Sequence, residues 1–176
     1  MTALSVGALC VPQTAEAQGG GLQSLGGFLK AGGYYLTSAS GTRAIGTPKF
    51  LNEAGYYVRP AHFGAITLTA GIETMSARDH FLPFTGGNDF SLIGGSVRVS
   101  TERRMRQLRP YVSAGYFLGH VRSENLAIDK SQLIPSLSAG VELPLSRTAT
   151  LSASYRISTA ISGLNMDGFG ISLRLY

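Results

Sequence analysis

The sequence predicts an all-β chain, an eight-stranded antiparallel transmembrane up-and-down β-barrel, from three observations. Apolar residues alternate with small polar ones at a period of two over eight segments. The linkers between those segments alternate in length. The composition falls between two ordinary classes, with 14% charged and 44% hydrophobic residues. A soluble domain usually carries about 25% charged residues. A helical membrane protein needs a run of roughly 18 apolar residues, and charged or Gly/Ser-rich stretches interrupt every candidate run here.

The alternation is plainest in 66–75, where Ile66, Leu68, Ala70 and Ile72 share one face and Thr67, Thr69, Gly71 and Glu73 the other. Segment 133–143 sets Leu137, Ala139, Val141 and Leu143 against Ser136, Ser138, Gly140 and Glu142. Segments 150–159 and 168–176 follow the same scheme, with Leu151, Ala153, Tyr155 and Ile157 in one and Phe169, Ile171, Leu173 and Leu175 in the other. Four further segments, 28–37, 50–59, 91–101 and 111–121, carry a looser form of it. Linkers 38–49, 77–89 and 122–132 read as long, 60–65 and 144–149 as short, and 102–110 as intermediate and basic. Outer-membrane barrels have short periplasmic turns and long external loops, so a first strand running outward places the long linkers outside.

The second face decides between a soluble and a membrane barrel. It holds Gly, Ser and Thr with isolated charges: Lys30, Glu53, Glu73, Arg98, Glu142, Arg156 and Arg174. A charge on the lipid face costs about 2–4 kcal/mol near the midplane, so these side chains are expected inside. There they must pair, and a lumen of eight strands is just filled by its side chains. Glu73 and Glu142 facing Arg98, Arg156 and Arg174 would form an ion-pair plug. Tyr34, Tyr35, Tyr56, Tyr57, Tyr111, Tyr116 and Tyr155 suit interfacial girdles.

The N-terminus reads as an export signal. Residues 3–11 are apolar, and Ala15-Glu16-Ala17 followed by Gln18 is an A-x-A cleavage pattern. No Lys or Arg precedes the apolar stretch. The expected organisation is a signal peptide over 1–17, a flexible Gly-rich leader over 18–27 and the barrel over 28–176. Cys10 is the single cysteine and falls in the signal, so no intramolecular disulfide can form.

Two stretches carry a family resemblance. One is Arg109-Pro110-Tyr111-Val112-Ser113-Ala114-Gly115-Tyr116, opening a strand. The other is the C-terminal Gly168-Phe169-Gly170-Ile171-Ser172-Leu173-Arg174-Leu175-Tyr176. With the strand pattern they resemble the small outer-membrane barrels typified by the OmpA membrane domain and OmpX. The resemblance implies a location in the outer membrane of a Gram-negative bacterium, among lipid and lipopolysaccharide. It also implies that Phe169, Ile171, Leu173, Leu175 and Tyr176 form the signal read by the barrel-assembly machinery, although Tyr176 is out of phase with the other four.

Sites for chemistry are sparse. His120, Ser123 and Glu124 lie close together in sequence and suggest a Ser/His/acid hydrolase acting on lipid A. Asp79-His80 is similar to the acid/His pairs of omptin proteases. His62, His80 and His120 are dispersed, so neither a metal nor another cofactor is expected. A net charge of +5 raises nucleic acid as a partner. The charge is clustered only at Arg103, Arg104, Arg106 and Arg109, a basic periplasmic turn able to meet lipid headgroups or an anionic partner, and no nucleic-acid binding is expected. The leading reading is a non-enzymatic structural or surface-interaction barrel. A narrow channel or transporter for small or hydrophobic solutes comes second, and the hydrolase third.

Overall fold

The computed structural model describes residues 26–58, 60–79, 87–101 and 107–176. In chain order these form β1 (Gly26–Leu36), α1 (Ala39–Ile45), β2 (Lys49–Tyr57), β3 (Ala61–Phe63), β4 (Ile66–Arg78), β5 (Asp89–Thr101), β6 (Arg109–Ser123), β7 (Ile128–Pro144), β8 (Ala149–Ser158) and β9 (Gly168–Leu175). Every pairing among these strands is antiparallel. Neighbours in sequence pair, except that β2 and β3 both pair with β4, and the first strand pairs with the last, β1 with β9, which closes the sheet.

Nine assigned strands make an eight-stranded barrel because β2 and β3 are two parts of one. Both pair with β4, Tyr57 opposite Gly71 and Ala61 opposite Leu68. The pairing therefore slips by one residue between them, as at a bulge. Pro60 lies in the break, where it has no N–H to give a ladder.

The faces are inverted relative to a soluble barrel. Ile72, Tyr116 and Leu133 are each 67% exposed, and they belong to an outward apolar band that includes Leu29, Tyr56, Ile93, Leu118, Leu137, Ile157, Ile171 and Leu173. Glu142 is 1% exposed and Arg174 3%. A soluble monomer rarely leaves more than a few hundred Å² of continuous apolar surface in water. Here the apolar surface runs around the strands while the ions are buried. Among the described residues no helix is long and apolar enough to cross a membrane. The strands are the spanning elements.

Two of the linkers differ from expectation. Linker 122–132 is a tight turn, because β6 and β7 continue until Arg122 faces Asp129 and Ser123 faces Ile128. The outward pairs on these strands run from Leu118–Leu133 through His120–Ser131 to Arg122–Asp129. Above the last apolar pair the strands face water, so their polar residues read as loop. Linker 38–49 holds α1. Ser38 caps it, its Oγ accepting from the Gly41 N–H at 3.0 Å. Gly46 ends it at φ +80°, its N–H donating to the Thr42 carbonyl.

Candidate functional site

Among the described residues the buried polar and charged side chains concentrate in the lumen, which has two halves. Toward the end where β2, β5 and β7 finish and β6 and β8 begin it is ionic. Toward the opposite end, where α1 sits, it is apolar.

The ionic half follows from strand register. Lys30 faces Glu53 across β1 and β2 and also faces Arg174 across β1 and β9, so side chains spaced far apart in sequence meet within one layer. Two groups result. In the first, Lys30 Nζ donates to Glu53 at 2.8 Å, and Arg156 lies 3.7 Å from Glu53 and 3.6 Å from Glu73. The Tyr57 hydroxyl donates to Glu73 at 2.7 Å. In the second, Glu142 lies 2.7 Å from Arg98, 2.9 Å from Arg174 and 3.6 Å from Arg109. Rings cover the cations: Arg98 stacks on Tyr111 at 3.5 Å and Arg174 on Phe28 at 4.1 Å, each to the ring centre. Phe28 stacks on Tyr57 at 5.1 Å. Gly55 makes room for this stack, since a Cβ there would sit 2.7 Å from the Phe28 ring.

All seven charges assigned to the lumen from the sequence lie inside. The pairing is more divided than a single plug, because Glu73 meets Arg156 while Glu142 takes Arg98 and Arg174. Arg109 is a correction. It is the first residue of β6 rather than part of a solvated turn, and its guanidinium turns inward, donating to the Thr101 carbonyl and Ser100 Oγ and approaching Glu142. Its parity on β6 is that of Tyr111 and Ser113, a signal that the clustering with Arg103, Arg104 and Arg106 obscured. Those three lie outside the described residues.

The apolar half was not anticipated. Tyr34, Leu51, Met75, Phe90, Leu92, Phe117, Val121 and Ile134 point inward and pack with Ala44 and Ile45 of α1 and with Ile161, Leu164 and Met166 of the 159–167 loop. The helix is held in the mouth from both sides. Ser123 Oγ donates to the Ala44 carbonyl, and Ser38 donates to the Asn165 carbonyl. The Asn165 N–H donates to Ser40, and the Tyr34 hydroxyl to the Met166 carbonyl at 2.8 Å. Gly41 permits the contact, since a Cβ there would lie 2.3 Å from the Asn165 carbonyl.

The expected hydrolase set is not assembled. Ser123 is 2% exposed and turned into the mouth against α1. His120 is on the outward face, with Nδ1 3.0 Å from Ser131 Oγ. Strand parity separates the two, as residues an odd number apart face opposite sides. Glu124 is in the turn, 3.7 Å from Arg122. Asp79 pairs with the buried Lys49, and His80 lies outside the described residues. Phe169, Ile171, Leu173 and Leu175 face outward. The out-of-phase Tyr176 brings its hydroxyl to 3.4 Å from Arg174.

A closed barrel with an apolar exterior and a charged, filled interior is now defined, and comparison places it. The model of the outer membrane protein beta-barrel domain matches residues 1–175. The chain belongs to that family. Its place is the bacterial outer membrane. The fold is similar to that of Neisserial surface protein A at TM-score 0.57 and 15% identity, covering 87% of this chain and 99% of that one. It is also similar to Ail, the attachment invasion locus protein of Yersinia pestis, solved with the heparin analogue sucrose octasulfate, at TM-score 0.50 and 10% identity, covering 88% and 96%. At these identities the likeness concerns fold alone. Curated protein sequences give no significant match.

Proposed function

We propose that this outer-membrane barrel is a non-enzymatic, non-conducting scaffold whose loop end meets a surface or a protein partner. The observation that carries the reading is the filled lumen. Ion pairs occupy one half, an apolar core sealed by α1 occupies the other, and the cavity between Lys30, Tyr34, Glu53, Arg98 and Arg156 measures only about 20 Å³. That is room for one or two waters. A hydrated solute has no path through it without the helix leaving the mouth. With the pore closed, what the protein offers its surroundings is its exterior: a lipid face, and loops 37–48, 124–127 and 159–167.

The same reading takes residues 1–17 as the cleaved export signal, 18–27 as a leader, and the Phe169-to-Tyr176 stretch as the segment read during barrel assembly. The first pairing in the structure begins inside that leader, at Gly26. Planar-bilayer recording tests the central claim. The unmodified protein is expected to insert without steady conductance. Large, stable unit currents would overturn the scaffold reading in favour of a channel.

A further inference from the structure

We propose that the lumen binds one small monovalent inorganic anion, of the size and charge of chloride, beside Arg98. The inference rests on the closed lumen described above and adds an occupant to it.

The first observation is a charge imbalance. Among the described residues the lumen's ion pairs set five cations, Lys30, Arg98, Arg109, Arg156 and Arg174, against three carboxylates, Glu53, Glu73 and Glu142. Around the cavity itself three buried cations, Lys30, Arg98 and Arg156, stand against two buried carboxylates, Glu53 and Glu73. Burying a charge without compensation is costly, and the aromatic faces on Arg98 and Arg174 compensate only in part.

The second observation is unmet donors. Arg98 Nη2 is taken up by Glu142 at 2.7 Å, but the buried Arg98 Nε has no hydrogen-bond partner. Arg174 Nε and Nη2 also lack hydrogen-bond partners. A single carboxylate thus serves three guanidiniums, and their donors outnumber its lone pairs.

The third observation is a place. The 20 Å³ cavity borders Arg98, Lys30 and Arg156, and Tyr111, Ser113 and Ser138 also line it. Glu53 and Glu73 line it too, but both are engaged, Glu53 by Lys30 and Arg156, Glu73 by Arg156 and Tyr57. Water would fill the volume and leave the charge. A phosphate or a carboxylate ligand is too large. A halide satisfies size, charge and donors together.

The test uses the full chain folded in detergent. Thermal unfolding is followed in sodium chloride, bromide and gluconate at one ionic strength. Chloride and bromide are expected to raise the midpoint by several degrees, saturably, over gluconate, which does not fit. Crystals grown in bromide are expected to show an anomalous peak within hydrogen-bonding distance of Arg98 Nε. Arg98→Gln removes both a surplus charge and the donor, so the three salts should then give the same midpoint. Equal midpoints for the wild type, or a bromide map with no peak in the lumen, would overturn the proposal. If the variant fails to fold, the wild-type map alone decides. Conductance in a bilayer would refute the closed lumen, and it is read independently of the bromide peak.

Discussion

Glu142→Gln tests the lumen's electrostatics most severely. The substitution keeps shape and volume and removes one charge. That charge faces Arg98 at 2.7 Å, Arg174 at 2.9 Å and Arg109 at 3.6 Å, with the carboxylate 1% exposed. At the effective dielectric of about 20 that suits protein sites, each of the two shorter contacts amounts to roughly 6 kcal/mol before desolvation. Desolvation of the ions offsets most of this, and breaking one side of a buried pair costs about 3–5 kcal/mol net. Three guanidiniums left facing each other place Glu142→Gln at the upper end of that range. Glu73→Gln is the control: Arg156 keeps Glu53 as a partner at 3.7 Å, and the glutamine can still accept from Tyr57, so the loss should be smaller. The assay is equilibrium urea unfolding into and out of lipid vesicles, followed by the heat-modifiable gel shift. A Glu142→Gln barrel within about 1 kcal/mol of wild type, or less damaged than Glu73→Gln, would refute the claim that Glu142 organises the three arginines.

The remaining predictions concern the mouth and the lipid face. Ile45→Ala empties a fully buried site in the cap and should cost about 2–5 kcal/mol in the same unfolding assay; no loss would mean that α1 is not docked. Ser123→Ala removes the hydrogen bond to the Ala44 carbonyl and should cost about 1 kcal/mol, seen as faster protease cleavage in 37–48 and refuted by an unchanged rate. Ile72→Arg places a charge on the outward face and should cost about 2–4 kcal/mol if that face meets hydrocarbon. Equal stability would argue that water covers it.

How much of this was legible in the sequence depends on what each residue's neighbours say about it. The eight segments and their two faces were legible because side chains alternate with a strict period of two, and lipid outside leaves no reason to break the outward apolar set. Arg98 stands between Ser96 and Ser100 on its face, and Lys30 and Glu53 each share a face with a glycine, Gly32 and Gly55, so their inward direction was readable. Their partners were not, because pairing depends on strand tilt and register. The apolar half escaped notice for a related reason. Phe90-Ser91-Leu92-Ile93, Phe117-Leu118 and Leu133-Ile134 carry apolar residues at both parities, which blurs an alternation. That blurring was the available signal: apolar residues of both parities gather at the loop ends of β5, β6 and β7, where something must fill the lumen. The ends of β6 and β7 were misread for the opposite reason, since beyond Leu118 and Leu133 the outward face turns polar.

The two halves of the lumen solve one problem by different means. An eight-stranded barrel encloses a space that side chains from its own walls can just fill. In the ionic half the walls supply long charged chains and rings, which fix the volume but impose a charge balance. In the apolar half the walls supply branched and aromatic chains that do not reach the axis, and Ile45, Ile161 and Met166 from two loops complete the packing. Packing of that kind needs no partner of opposite sign, so it tolerates being built from loops, while the seven buried charges of the ionic half all stand on strands whose register holds each in place. The loops therefore serve two ends at once, since the residues that seal the mouth also fix the backbone of 37–48 and 159–167. The shape of those two loops is therefore held by side chains buried in the lumen.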